Sequence, residues 1–496
     1  MPFTLAQVAE HNSQKSCWVI IHNKVYDVTE FLPEHPGGSK IILKYAGRDA
    51  TAVYEPIHPP DALDKNLPKD KHLGDLDTAA AEQVARANEN RRKTKDELRM
   101  EKAEKEKPPL SRVMSILEME DIARKVISYK AHMYYSSAAD DEITLVENIR
   151  GFQRLFFHAR VMRPTQHVDP TTTILGFKST IPVFVSGAAL AKLGHPLGEA
   201  NITRGAGKTG IIQMVSSNAS LSADQIAQAR LSPDQVLFFQ LYKNRDDAVA
   251  EQRVKEVEGF GYKAIFLTVD AITPGNRERD IRAPFVLEAQ EAEAEAKGGM
   301  EKPRTVGQVQ KQEEESKVDH EGTAGALIRF VDQDMTWEKT IPWLRRVTKL
   351  PIVIKGIQCV QDAVLAAETG VDGILISNHG GRQLDFSLPS IEVLYRLRKE
   401  RPDVFDKCEV YVDGGVRRGT DVIKALCLGA KAVGMGRPFL YAQSAYGEAG
   451  VAKVVQILQR EMVTAMKLVG ASSVKELVPG MVEQVNWQPY YPQAKL

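Results

Sequence analysis

His379 and Arg382 stand three residues apart in Ser377-Asn378-His379-Gly380-Gly381-Arg382. A base and a guanidinium presented from one loop can handle a proton and a carboxylate on the same small molecule. Asp270 can orient that imidazole and stabilise its charged form, and Lys355 can place a positive charge beside whatever accepts electrons. Two glycine-rich turns, Asp413-Gly414-Gly415-Val416-Arg417-Arg418-Gly419 and Gly434-Met435-Gly436-Arg437, have the composition of a phosphate cradle, because bare backbone N–H groups approach an anion closely. They imply a phosphorylated cofactor, with Arg417 and Arg437 as phosphate or ring contacts. Each residue alone has an ordinary structural role, as a satisfied histidine, a helix cap or a salt-bridge partner. Their joint placement makes them a site.

That placement follows from the elements that carry them. Eight short apolar runs, each followed by a helical pattern, lie between Pro109 and the end: 181–187, 211–216, 236–241, 264–270, 351–355, 373–378, 409–415 and 431–436. Continuous Val/Ile/Leu runs alternating with helices imply buried parallel strands, and eight such units make a (β/α)₈ (TIM) barrel. Barrel chemistry sits where strands end, and these ends carry Gln240 and Tyr242, Thr268 and Asp270, Lys355, the His379 loop and the two glycine turns. An open doubly wound sheet lacks its fingerprint. Gly205-Ala206-Gly207-Lys208-Thr209-Gly210 matches the letters but ends a helix before a strand, the reverse of the required order.

The N-terminal 78 residues carry a second constellation. His35 lies in His35-Pro36-Gly37-Gly38, and His58 follows a helical stretch; residues 18–21 and 25–29 read as a strand pair. Two histidines separated by helix on a small domain can offer neutral imidazoles from opposite sides to a haem iron. Bis-histidine ligation leaves no open iron position, so such a haem moves single electrons.

The whole chain has 496 residues, 43% hydrophobic and 26% charged, enough for two or three packed domains. Sixty-five basic and sixty-five acidic side chains leave no net field for nucleic acid or an anionic membrane. Four scattered cysteines form neither a disulfide framework nor a zinc knuckle. No apolar run reaches membrane-span length, and the first residues have neither signal-peptide nor transit character. Residues 79–108 are charged and without an apolar stripe, a solvated linker helix or a tether; residues 288–325 form a polar insertion that reads as a mobile surface lid. Ala494-Lys495-Leu496 ends the chain with a peroxisome-like tripeptide, one address alongside the cytoplasm.

From about Leu117 to Trp487 the chain resembles the FMN-dependent 2-hydroxy-acid oxidising family, through MYYSSAADDEITLVEN (133–148), LTVDA (267–271), PIVIKGIQ (351–358), SNHGGRQLD (377–385), VDGGVRRGTD (412–421) and GMGRPFLYA (434–442). The first 78 residues resemble cytochrome b5, through the HPGG at 35–38 and the GRDAT at 47–51. Their fusion resembles the flavocytochrome b2 branch. The resemblance implies an α+β cytochrome b5-like domain over 1–78, the linker over 79–108 and a barrel over 109–496. FMN would be held by Ala188, Ala189, Ser216, Gln240, Thr268, Lys355, Asp413, Gly414, Gly415, Arg417, Gly436 and Arg437, and haem b by His35 and His58 as axial ligands. His379 would be the base and Asp270 its partner. Arg382 and Tyr134 would hold the substrate carboxylate, Tyr242 would bond its hydroxyl, and Arg277 would be an accessory cation. The implied reaction is oxidation of an L-2-hydroxy acid, L-lactate to pyruvate, with electrons passing through haem to cytochrome c in a homotetramer. The same likeness points to the mitochondrial intermembrane space. An oxidase using oxygen, or a dehydrogenase for another 2-hydroxy acid, is the alternative. Asn218 and Pro274 replace the family's usual apolar residue and leucine where the substrate side chain is expected, and Ala138 replaces a usual glycine.

Overall fold

The computed structural model describes residues 2–35, 37–91, 93–296 and 322–486. Most of the expected 288–325 lid and the Ala494-Lys495-Leu496 tail therefore lie outside the described residues. What is described of the insertion is helical: α3 (Glu278–Ala296) runs into it and α4 (Gly322–Ile328) follows it.

The N-terminal module is built on a five-stranded sheet of β1 (Asn12–Ser13), β2 (Ser16–Ile21), β3 (Lys24–Asp27), β4 (Arg48–Asp49) and β5 (His72–Asp75). β2 and β3 form the expected antiparallel pair, Trp18 opposite Asp27 and Ile21 opposite Lys24. His22 and Asn23 turn it at φ 51° and 61°, the left-handed pair that a tight hairpin needs. Because side chains alternate, Val19, Ile21 and Tyr26 enter one core with Leu32 and Tyr54, while Ile20 and Val25 enter another with Val8, Leu76 and Ala80.

Two helices make the connection between modules. α1 (Thr78–Asn90) is capped by Asp77 and packs Ala80, Ala81 and Val84 on the small module's second core. α2 (Lys95–Glu106) opens on a Thr94/Glu97 capping box. This second helix is anchored by polar groups. Buried Asp96 accepts from the Tyr129 backbone N–H at 2.8 Å and from Arg99 at 2.6 Å, and Arg99 also donates to the carbonyls of Lys125 and Ile127 at 2.6 and 2.7 Å.

The expected barrel forms. Its strands are β6 (Val183–Val185), β7 (Ile212–Ser216), β8 (Leu237–Leu241), β9 (Ile265–Thr268), β10 (Ile352–Ile357), β11 (Gly373–Ile376), β12 (Glu409–Asp413) and β13 (Ala432–Met435), all parallel and closed by the β13–β6 pair. Each falls within one of the eight apolar runs or extends it by two residues. Inside the barrel Phe184, Phe238, Phe266, Val353, Leu375 and Tyr411 fill the core, and the hairpin 172–179 covers its N-terminal end with Ile174 and Phe177. The Gly205–Gly207 motif closes a helix, Glu199–Thr209. A Cβ on Gly205 would lie 2.5 Å from Val451, so this glycine serves close helix packing. Among the described residues no helix is long and apolar enough to cross a membrane.

Candidate active site

Strand register assembles the site. Ser216 pairs with Gln240 between β7 and β8, and Thr268 pairs with Lys355 between β9 and β10. The same row is joined by side chains, Ser216 Oγ to Gln240 Oε1 at 3.1 Å and Gln240 Nε2 to Thr268 Oγ1 at 2.8 Å. Two residues past Thr268, Asp270 accepts from His379 Nδ1 at 3.0 Å and lies 3.7 Å from Lys355 Nζ. His379 Nε2 faces the Tyr242 hydroxyl at 3.2 Å.

Backbone strain fixes this cluster. His379, Gly380 and Gly381 are successive left-handed residues with φ 57°, 66° and 77°, which turns the loop sharply at the strand end. Arg437 clamps that loop, donating to the carbonyls of Tyr135, Gly380 and Ser137 at 2.8, 2.8 and 3.0 Å. On the other side, Gly356 sits in a bulge at φ 113°, and a Cβ there would lie 2.6 Å from Asp270 Cβ. Only glycine leaves room for the carboxylate.

The electrostatics suit a base. Burial, then the Lys355 charge, lowers the His379 pKa against the opposing pull of Asp270, so the imidazole is neutral over the ordinary range. Burial pushes the Asp270 carboxyl up, but Lys355 and His379 outweigh it and hold it below the usual carboxylate range. The Tyr242 phenol is pushed well above its ordinary value by burial and by Asp270, so it remains a donor.

One cleft is lined by Tyr134, Ala188, Ala189, Ser216, Asn218, Tyr242, Pro274, Arg277, Lys355, His379, Arg382, Asp413, Gly414, Gly415, Arg417, Gly436 and Arg437. Gln240, Thr268 and Asp270 stand behind this lining, joined to it by the bonds above. The guanidinium groups differ in how they are engaged. Arg277 is buried against Asp280 at 2.7 Å, and Arg417 pairs with Glu120 at 2.5 Å. Arg382 has no carboxylate partner among the described residues and lies over the Tyr134 ring, 5.0 Å from its centroid. It is the group placed to take an incoming carboxylate.

Asn148, Ser186 and Gly275 help position the site and were not singled out by the sequence. Asn148 and Asn378 exchange reciprocal amide bonds at 2.9 and 2.8 Å across the cleft floor. Ser186 bonds Asp413 at 3.1 Å. A Cβ on Gly275 would lie 2.3 Å from the Arg382 carbonyl, and one on Gly415 would lie 2.1 Å from that of Asn148. Such contacts join segments far apart in the chain.

The cleft fits a flavin mononucleotide. The Lys355 ammonium is buried with no hydrogen-bond partner among the described residues, the Ser216–Gln240–Thr268 row offers amide and hydroxyl groups, and glycines at 414, 415 and 436 line the cleft. In the small module, the His35 and His58 ring centroids are 6.0 Å apart. Two metal–imidazole bonds of about 2 Å each, plus the ring radii, require roughly that spacing. Each Nδ1 lies 3.0 Å from a backbone carbonyl, Gly38 for His35 and Tyr54 for His58, which leaves both Nε2 atoms for a metal. Burial lowers both pKa values, that of His58 to about 4, and so keeps the imidazoles neutral. Tyr54 stacks on His58 at 4.2 Å, and a Cβ on Gly37 would lie 2.8 Å from His35 Cε1.

The comparisons with known proteins agree with this division. Residues 123–484 match the FMN-dependent dehydrogenase family, and residues 4–77 match the cytochrome b5-like heme/steroid binding domain. The chain belongs to the FMN-dependent dehydrogenase family, with a cytochrome b5-like domain at its N-terminal end. It is 44% identical to L-lactate dehydrogenase (cytochrome) of Wickerhamomyces anomalus over 96% of this chain and 79% of the relative. Against the Saccharomyces cerevisiae enzyme of the same name the identity is 43%, with the same coverage of each chain. Spinach (Spinacia oleracea) glycolate oxidase is 38% identical over 74% of this chain and 94% of its own. Among solved structures, a flavocytochrome b2 double mutant with pyruvate bound superposes with a TM-score of 0.69 at 41% identity, covering 79% of this chain and 92% of that one. As a member of this family, the chain is an FMN- and haem-dependent oxidoreductase.

Three outcomes follow from the geometry. Because base catalysis needs neutral His379, kcat/KM will fall about tenfold per pH unit below an acid limb lying under the ordinary imidazole value of about 6.5. Asp270→Asn, by removing the partner that raises the His379 pKa, will move that limb further down and cut the rate by about 10² to 10⁴. A pH–rate profile checks both, and a limb above the ordinary value contradicts them. Gly356→Ala will force Asp270 aside, lowering kcat by about 10² while leaving the absorption spectrum of bound flavin in place.

Proposed function

We propose that this chain oxidises L-lactate to pyruvate and delivers the electrons singly, through its haem, to cytochrome c. The observation that carries the reading is the presence on one chain of a neutral, carboxylate-backed imidazole beside a guanidinium with no carboxylate partner among the described residues and, in the attached module, two imidazoles at iron-spanning distance. The two lactate-named relatives match across both modules, whereas the spinach glycolate oxidase match leaves little of its own chain to span a module of this size.

Arg382 and Tyr134 would clamp the substrate carboxylate, which fixes the acid's hydroxyl-bearing carbon beneath the cleft wall. Tyr242, donating through its hydroxyl, would hold the substrate oxygen beside His379 Nε2. His379 takes a proton from the substrate, and Asp270 stabilises the imidazolium that results. This role is the same whether the proton comes from the hydroxyl or from the carbon. FMN supplies a two-electron acceptor when bound, and haem a one-electron relay. Lys355, with Ser216, Gln240, Thr268, the 413–417 turn and Gly436-Arg437, would hold the former; His35 and His58 would ligate the latter. Overall, lactate loses two electrons and two protons, and two ferric cytochromes each gain one electron.

Asn218 favours a second reading at the level of substrate. Its amide lines the cleft and donates to the Leu327 carbonyl at 3.0 Å, placing a polar group where an apolar side chain would otherwise contact the acid's substituent. A 2-hydroxy acid with a more polar substituent than lactate is then the better substrate. Steady-state assays with L-lactate, glycolate, glycerate and mandelate, counting cytochrome c reduced and peroxide formed, separate the readings. The proposal expects two cytochromes reduced per lactate and little peroxide; stoichiometric peroxide with little cytochrome reduction overturns it in favour of an oxidase.

A further inference from the structure

The two modules meet over the mouth of the barrel, where the strand ends carry the reactive residues. Ser220 Oγ donates to the Pro56 carbonyl at 3.4 Å, Lys192 lies 3.8 Å from the Glu55 carboxylate, and Ile57 packs against the barrel's own core. Those contacts fall on the three residues that precede His58. A fourth contact falls on the other iron-ligand position: Arg329 Nη1 donates to the backbone carbonyl of His35 at 3.1 Å.

Arg329 is mounted on a segment tied to the catalytic machinery at several points. α4 ends one residue before it and lines the cleft through Ala324, Leu327 and Ile328. The Leu327 carbonyl accepts from Asn218. Immediately beyond Arg329, the Arg245 N–H donates to the Phe330 carbonyl at 2.9 Å, the Asp332 N–H donates to the Lys243 carbonyl at 2.8 Å, and the Lys243 ammonium returns to the Asp332 carboxylate at 2.8 Å. Lys243 is the neighbour of Tyr242, whose hydroxyl meets His379. A stretch of eleven residues, 322–332, is thus fastened to the substrate cleft and to the end of β8, and its guanidinium reaches the His35 loop.

We propose that Arg329 is a positioning residue that docks the His35 loop onto the roof of the substrate cleft, so that one segment both covers the substrate and sets the placement of the haem module. The inference rests on the two-module reading given above. A charged donor to a carbonyl at a partly hydrated contact is a modest restraint, and screening by salt weakens it. The remaining contacts at residues 55–57 keep the modules together when it is lost, so its removal loosens the His35 side of the interface selectively.

The test uses full-length, flavin- and haem-loaded protein carrying Arg329→Ala or Arg329→Lys. Arg329 is exposed, so neither change disturbs the core. Amide hydrogen exchange over residues 31–38, read without substrate, is expected to rise in Arg329→Ala and to return towards the parent in Arg329→Lys. Rapid mixing with L-lactate is expected to leave flavin bleaching unchanged and to slow haem reduction by about tenfold, a loss of the size a charged hydrogen bond commands. Unaltered exchange together with unaltered haem reduction overturns the proposal. If the parent protein shows no flavin bleaching with any 2-hydroxy acid, the functional reading fails instead, and the exchange measurement still decides whether Arg329 docks the loop.

Discussion

The carboxylate of Asp270 is fully enclosed, and the architecture of the barrel mouth is arranged around keeping it charged. Burying an ion costs several kcal/mol unless opposite charge and hydrogen bonds compensate. Here compensation comes from Lys355 at 3.7 Å and His379 at 3.0 Å, groups delivered by two other strands. The register that sets Thr268 opposite Lys355, the bulge at Gly356 and the left-handed turn at His379 are each needed to bring the ammonium and the imidazole to one point. Removing the Lys355 ammonium would leave the buried carboxylate without an opposite charge, a loss of about 3–5 kcal/mol. The same triad gives the imidazole its orientation and a reason to accept a proton, so stability and chemistry share one interaction.

Burial does different work in the two modules. At His379 it holds the base neutral while Asp270 waits to stabilise the cation that forms. At His35 and His58 it also holds the imidazoles neutral, but each spends its Nδ1 on a backbone carbonyl and presents Nε2 as a ligand. On the proposed reading one histidine cycles through protonation, and the other two are kept from it. A proton-coupled two-electron step and a plain one-electron step can then coexist on a single chain.

The strands were legible because parallel barrel strands are buried on both faces and read as unbroken apolar runs. The residues gathered at the cleft were legible because they follow those runs directly. The pairing of His35 and His58 was legible from a short motif whose glycine has a visible purpose, since a side chain at position 37 would strike the His35 ring. What escaped were residues whose purpose is set by segments remote in sequence. Nothing local marks Gly356 as the space for Asp270, Gly275 as the space for the Arg382 backbone, or Asn148 as the partner of Asn378. Arg437 carried the signal of a cofactor contact, and much of its guanidinium is spent on three backbone carbonyls around the His379 loop. The charged connector read as solvated because its first helix docks through only Ala80, Ala81 and Val84 and its second through a buried carboxylate, Asp96.

The central claim is that substrate oxidation in the barrel feeds electrons to a haem held by His35 and His58. The visible spectrum of the purified protein, recorded without oxygen before and after adding L-lactate, tests it most directly. The account predicts that the flavin band bleaches and that sharp reduced-haem bands rise with it. Flavin bleaching with the haem left oxidised would contradict the account.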